Sequence, residues 1–322
     1  MNITLSLVIP VASCVPPNVA EERMTSLTAD RVSPITLGTA QLGAPYGIAN
    51  RVGMPDEALA MSILDAAWNG GVRSIDTARG YGDAEARIGR WMAARGTDPF
   101  VVTKIPRIDD GGGVAAVRTA LRGSRDALRC TFIDGLLLHR ATDLARAGVA
   151  DVLGELVASG EIGGFGVSAY SPEDVEMALG LAGISLIQAP FNLLDQRLET
   201  SGMLSRCVDA GVTVFARSVF LQGLFTLEPD RLPDGLAEAR VPLRKLQELA
   251  RDGGYSLVEA ALLAVRDTPG INSLVIGAET DAQVEGFLAM SALPEMDADL
   301  RAALFEVAVS VPEHVIHPGK WA

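Results

Sequence analysis

Cysteine is scarce: Cys14, Cys130 and Cys207 are the only three in 322 residues. They are too few and too widely spaced for a disulfide framework or a paired-cysteine metal knuckle, and they read as reduced core thiols. Positive charge is also short, with 27 Lys and Arg against 40 Asp and Glu, a net charge of -13. That balance argues against nucleic acid or an anionic membrane as the main partner. No apolar run reaches the ~20 residues of a membrane-spanning helix. The longest candidate, residues 3–17, is broken by Pro10, Pro16 and Pro17. This segment has the apolar middle of a secretory signal, but no Lys or Arg precedes it, and Ala12-Ser13-Cys14-Val15 is a poor cleavage site. Met24 is therefore the expected start, with residues 1–23 an unpacked extension or a mis-assigned start, and a cytoplasmic location follows. Also missing are any Pro/Ser/Gly linker long enough to divide the chain and any solenoid-type repeat.

The chain does have 48% hydrophobic residues, arranged as short β-branched runs alternating with stretches of helical period. Eight runs read as strands: 35–39, 72–76, 100–104, 133–139, 164–168, 185–188, 212–217 and 273–276. Helical segments begin near Asp56, Ala84, Val114, Asp143, Pro172, Thr200, Ser256 and Asp281. Ser171-Pro172-Glu173-Asp174 is the clearest start, with a hydroxyl cap, Pro in the first turn and acids beside it. The expected fold is α/β, a single (β/α)8 TIM barrel over residues 24–322 with its active site at the C-terminal ends of the strands. The irregular stretches 219–245 and 311–322 are candidate covers for that end.

The residues that close the strand runs are chemically concentrated. Asp76 ends the second run, with Tyr81 in the turn Arg79-Gly80-Tyr81-Gly82; Lys104 ends the third and His139 the fourth. The chain uses 24 Arg and three Lys, yet places one Lys after Phe100-Val101-Val102-Thr103. Arg would serve a plain ion pair to Asp76 equally well; Lys differs in its compact ammonium and adjustable pKa. His139, after Leu136-Leu137-Leu138, would by default be a satisfied core histidine, but its place beside Lys104 points to chemistry. A phenol near a cationic lysine gives up its proton more readily, which suits Tyr81 for protonating a developing alkoxide. His314-Val-Ile-His317 lacks a third ligand and reads as tail surface, so no metal is expected.

Asp76-Thr-Ala-x-x-Tyr81-Gly, Glu85-x-x-Ile-Gly89, Thr103-Lys104 and Leu136-Leu-Leu-His139, in that order and spacing, resemble the aldo-keto reductases over residues 36–288. Leu37-Gly-Thr-Ala-Gln41, Tyr46-Gly-Ile-Ala-Asn50, Asn192-Leu-Leu-Asp195 and Arg217-Ser-Val-Phe-Leu-Gln-Gly223 resemble a bacterial branch associated with sugar and polysaccharide metabolism. The resemblance implies hydride transfer between a nicotinamide and a small polar aldehyde or ketone, sugar-derived, without a metal. Tyr81 would then donate the proton, assisted by Lys104 and Asp76, and His139 would orient the carbonyl oxygen. By the same carry-over, Ser168 and Gln188 would bind the nicotinamide carboxamide, and Thr39, Ala40 and Asp76 would border the cofactor. Arg217, Ser218 and Phe220 would line its nicotinamide and diphosphate path. Gly277, Glu279 and Gln283 would meet the adenosine half at a helix N-terminus. Gln41, Tyr46, Arg140 and the loop after Ser218 would contact the substrate.

No GxGxxG follows a strand, so a Rossmann cofactor mode is not indicated. The sequence departs from the family where an adenosine 2'-phosphate would sit: Glu279 replaces a common basic residue, and Gly286 and Phe287 replace a Glu-Asn pair. A carboxylate repels that phosphate but accepts hydrogen bonds from free ribose hydroxyls, so both NADP(H) and NAD(H) stay open as cofactor. Ala169, where Asn is frequent, loosens the match at the nicotinamide. Two other readings compete: a nicotinamide-nucleotide sensor or interaction module with vestigial turnover, and a barrel lyase or isomerase forming a Schiff base on Lys104.

Overall fold

The computed structural model describes residues 31–321 apart from 52 and 110; the expectations for residues 1–23, Met24 and Cys14 lie outside the described residues. Eight parallel strands pair in chain order and close on themselves. They are β1 Ile35–Gly38, β2 Ser74–Asp76, β3 Phe100–Ile105, β4 Ile133–Leu138, β5 Ile162–Ser168, β6 Ile184–Pro190, β7 Thr213–Arg217 and β8 Ser273–Gly277. Side chains on a strand alternate between its two faces. One face of these strands packs Phe100, Val102, Leu137, Leu186 and Phe215, with Val275, into a small apolar layer inside the barrel. Thr36, with hydroxyl contacts of 2.7 Å to Ser74 and 2.6 Å to Ser273, adds a polar knot to it. The other face meets the helices in the larger core, which includes Ile63, Ile88, Trp91, Val117, Leu153 and Val175.

Two residues further along the interior face stand Asp76 after Ser74, Lys104 after Val102, His139 after Leu137, Gln188 after Leu186 and Arg217 after Phe215. The strand period therefore lifts this whole polar set onto one rim above the apolar layer. The register agrees, pairing Gly38 with Asp76, Ser168 with Gln188, Pro190 with Arg217 and Gly38 with Gly277.

The principal helices are α1 Glu57–Asn69, α2 Ala84–Arg95, α3 Gly113–Leu128, α4 Val149–Ala158, α5 Pro172–Leu179, α6 Met203–Asp209, α7 Arg240–Asp252, α8 Leu257–Arg266, α9 Asp281–Ser291 and α10 Ala298–Glu306. Ser171 and Asp174 form a reciprocal capping box at α5, as do Ser256 and Glu259 at α8. Three expectations are corrected. The stretch 219–245 is irregular only to Ala239; α7 then begins, because Pro242 sits in its first turn, where proline is tolerated, and Leu243, Leu246 and Ala250 bury one face. The segment near Thr200 is a single turn, Arg197–Thr200, and α6 starts after Gly202, which adopts φ +76.

Asp143 does not open a helix. Its side chain, 1% exposed, accepts hydrogen bonds from Ile108 N at 3.0 Å and Arg146 Nε at 2.8 Å, tying the loop after β4 to the loop after β3, and α4 begins only at Val149. Cys207 is buried and Cys130 partly so, both as free thiols that burial raises to about 11. Among the described residues no helix is long and apolar enough to cross a membrane. Asp143→Ala should lower stability by about 1–3 kcal/mol through the unmet Ile108 N–H, read as a reduced urea midpoint at unchanged slope; an unaltered midpoint would contradict the tie.

Candidate active site

The rim is built around a buried ion pair. Lys104 Nζ donates to Asp76 Oδ1 at 2.6 Å and to the Thr77 carbonyl at 2.9 Å, with side-chain exposures of 1% for Lys104 and 5% for Asp76. Gln188 Nε2 donates to the same Asp76 oxygen at 2.7 Å, and Ser168 Oγ donates to Gln188 Oε1 at 3.4 Å. Burial alone would pull the Lys104 ammonium down, but the Asp76 carboxylate and the Tyr81 oxygen outweigh it and leave the pKa raised. Lys104 is therefore charged.

Tyr81 stands over this pair. Its ring centroid lies 5.0 Å from Lys104 Nζ and 6.3 Å from the His139 ring, edge to face at 85°. Its turn is ordered by local hydrogen bonds: Tyr81 N donates to Ala78 O at 2.9 Å, and Arg79 N reaches back to Lys104 O at 3.1 Å. His139 lies one residue past β4, its N–H on Ile105 O at 3.0 Å. Burial first, then the Lys104 and Arg217 cations, lower its imidazole to about 4, with Asp76 opposing. At neutral pH the ring is thus uncharged and offers one N–H donor and one acceptor.

A cleft of about 370 Å³ opens on this rim. It is lined by most of the expected cofactor and substrate residues: Thr39, Ala40, Gln41, Tyr46, Asp76, Tyr81, Gln188, Arg217, Ser218, Phe220, Gly277, Glu279 and Gln283. Lys104 sits beneath its floor. Ser168 is buried and reaches the cleft through Gln188. Arg140 is not among the lining residues; it is exposed and its Nε donates to Thr142 Oγ1 at 2.7 Å.

Arg217 is the one cation among the described lining residues. Its guanidinium lies 4.4 Å over Tyr170, its Nη2 donates to Ala169 O at 3.0 Å, and its buried Nε has no partner. Tyr170 in turn stacks on His317 at 5.5 Å, so the tail reaches the rim through an aromatic contact, and His314 Nε2 lies 2.9 Å from Glu238 Oε2. At the β8 end, Gln283 Oε1 accepts the Glu279 N–H at 2.7 Å, and burial raises the Glu279 carboxyl. Phe220 and Phe287 face each other at 5.5 Å.

Gln222 and Thr226, in the loop after Ser218, line the cleft, as do Asn50 and Val258, to which sequence reasoning assigned no role. Asn50 lay inside a quoted motif and was findable there. Val258, on α8, carried no signal because its place depends on how that helix docks.

Residues 34–306 match the model of the Aldo/keto reductase family. The chain is 29% identical to a D-threo-aldose 1-dehydrogenase from Pseudomonas sp over 310 residues, covering 81% of this chain and 92% of that protein. It is 26% identical to the L-glyceraldehyde 3-phosphate reductase of Escherichia coli strain K12, covering 70% of this chain and 76% of that one. The fold matches that of an aldo-keto reductase from Bacillus halodurans in its holo form, with a TM-score of 0.72 at 23% identity, covering 88% and 95% of the two chains.

The depressed His139 pKa carries a stability consequence. A histidine in the unfolded chain titrates near ~6.5, so between that pH and about 4 the unfolded state binds the proton and the folded one does not. His139 thus destabilises the fold progressively as pH falls through this window. His139→Gln should lose less stability than the parent between pH 7 and 4.5 in denaturant titrations, and parallel losses would refute the assignment.

Proposed function

This chain belongs to the aldo/keto reductase family of NAD(P)-dependent oxidoreductases, and from that premise we propose that it interconverts a small hydroxylated aldehyde or ketone and its alcohol, with Tyr81 carrying the proton. The observation that carries this reading is that Tyr81 and Asp76 line one cleft, with the buried Lys104 ammonium and the neutral His139 ring packed beside Tyr81. The names of the sugar-metabolising relatives point to a substrate of that size. So do the neutral amide and phenol groups of Gln41, Tyr46, Asn50 and Gln222, which suit hydroxyl groups.

The donor set fits a nicotinamide dinucleotide. Arg217 has a buried, unpartnered Nε and stands beside Gln188 on the cleft wall, so a group with acceptors is needed there. Gln188, braced by Ser168, would hold the carboxamide, Arg217 and Ser218 the nicotinamide and diphosphate path, and the Phe220–Phe287 pair would give apolar walls toward Glu279. When bound, the nicotinamide supplies or accepts the hydride. In the reductive direction Tyr81 gives its proton to the carbonyl oxygen as charge builds there, and the Lys104 ammonium stabilises the phenolate left behind. Asp76 holds that ammonium in place. Neutral His139 donates its N–H to the same oxygen, so phenol and imidazole together stabilise it as an oxyanion.

The Schiff-base alternative is disfavoured, because Lys104 is charged and its ammonium is engaged by Asp76 and Thr77. A vestigial sensor has no observation in its favour, and the grouping of Tyr81, Lys104, Asp76 and His139 supports turnover instead. Tyr81→Phe should lower kcat by at least ~10²-fold while nucleotide affinity, read by quenching of tryptophan fluorescence, stays within about twofold; wild-type turnover in that variant would sink the mechanism. Glu279, whose carboxyl is influenced by burial and Gln283 rather than by a cation, should make NADH bind tighter than NADPH by roughly tenfold. Glu279→Arg should reverse the order, and tighter NADPH binding by the parent would show that the carboxylate does not face the phosphate.

A further inference from the structure

Two glycines bring the backbone of the Tyr81 turn against the loop that follows β1. Gly43 lies just past the turn Ala40–Leu42, and a methyl group placed on it would fall 1.7 Å from the Tyr81 carbonyl oxygen and 3.1 Å from Ala84 N. Reciprocally, a methyl group on Gly82 would fall 2.3 Å from the Gly43 carbonyl oxygen. The Tyr81 carbonyl also accepts the Ala84 N–H at 3.0 Å, at the start of α2, so it cannot swing aside without breaking that bond. A second tie comes from Glu85, 1% exposed, which accepts Thr103 Oγ1 at 2.7 Å and Arg79 Nη1 at 3.0 Å. Thr103 neighbours Lys104 on β3, and Arg79 belongs to the Tyr81 turn. Neither Gly43 nor Glu85 lines the cleft.

We propose that Gly43 and Glu85 clamp the Tyr81 turn between the β1 loop and β3, and are positioning residues for the proton transfer. The inference rests on the role given to Tyr81 above. The phenol lies on a loop and the ammonium on β3, and their separation is maintained only if the turn is fixed to both neighbours. Gly43 supplies the close approach on one side. Glu85 couples the turn to the strand that carries Lys104.

In Gly43→Ala the two backbones must separate by roughly 1 Å or more, and a displacement of that size at a reacting group costs about 10²-fold in rate. The expected result is a kcat lower by about 10²-fold, a larger solvent deuterium isotope effect on kcat and NADH and NADPH dissociation constants within about twofold of the parent. Gly154→Ala, at a helical position whose added methyl would meet nothing within 4 Å, should leave all three unchanged. Glu85→Gln keeps the side-chain volume and removes the charge that holds Arg79; it should lower kcat about tenfold with the same signature, and it carries the test if Gly43→Ala does not fold. Unchanged kcat in a folded variant, or weakened nucleotide binding with an unchanged isotope effect, overturns the clamp while the Tyr81 assignment stands. A parent without turnover, or a fully active Tyr81→Phe, removes the assignment on which the clamp rests.

Discussion

An ammonium and a carboxylate buried together inside a barrel are the constraint around which the rest of this site is arranged. Desolvating Lys104 and Asp76 is expensive, and the cost is offset only because the pair is short and its remaining polar atoms are met: Thr77 O takes a second Lys104 hydrogen and Gln188 donates to Asp76. Leaving either charge without its partner would destabilise the fold by about 3–5 kcal/mol. The pair thus holds three strands' ends in one arrangement, β2, β3 and β6. It also sets the electrostatics around it, because a permanently charged Lys104 helps keep the neighbouring His139 neutral.

Strain is concentrated on the wall of the same cleft. Of the four non-glycine residues with positive φ in the described chain, Ser218, Leu221 and Gln222 fall in one short stretch after β7, at φ +61, +47 and +52. Such conformations cost energy and persist only when the surroundings over-determine them. Here the anchors are Val219, Leu221 and Leu224, all buried. Across the cleft, Ile48 N donates to Gln222 O at 3.1 Å and Gln222 Nε2 to Tyr46 Oη at 2.9 Å. The loops after β1 and β7 are therefore bound to each other, which brings Tyr46, Asn50 and Gln222 to one wall although about 170 residues of chain separate them.

Much of the fold was legible because strand alternation and helix periodicity are local. All eight strands were found, with ends wrong by a residue or two, and the capped helices such as α5 and α8 announced themselves through Ser171 and Ser256. The misreadings share a cause. Asp143 looks like a helix cap in sequence, and only the loop after β3 makes it a tie for Ile108 N. Helix α7 was hidden by Pro242, whose tolerance in a first turn depends on where the helix begins. In the site, residues that end strands were readable, because a two-residue period carries an apolar face directly to its polar terminus. Arg140, one residue past His139, has its side chain on Thr142, because the chain has left the strand period there.

The sequence by itself determined the alternation of eight strands with helices, the acidic character of the chain, and the identity of the polar residues that close Ser74-Ile75-Asp76, Thr103-Lys104 and Leu138-His139. These follow from properties that act over a few residues: side-chain period, capping and charge. Tertiary structure alone decided that Asp76 meets Gln188 across 112 residues, that Gly43 lies on the Tyr81 carbonyl, and that the His139 imidazole is uncharged. Each of these depends on distances between segments remote in the chain and on the water excluded between them, and neither quantity is encoded in local sequence pattern.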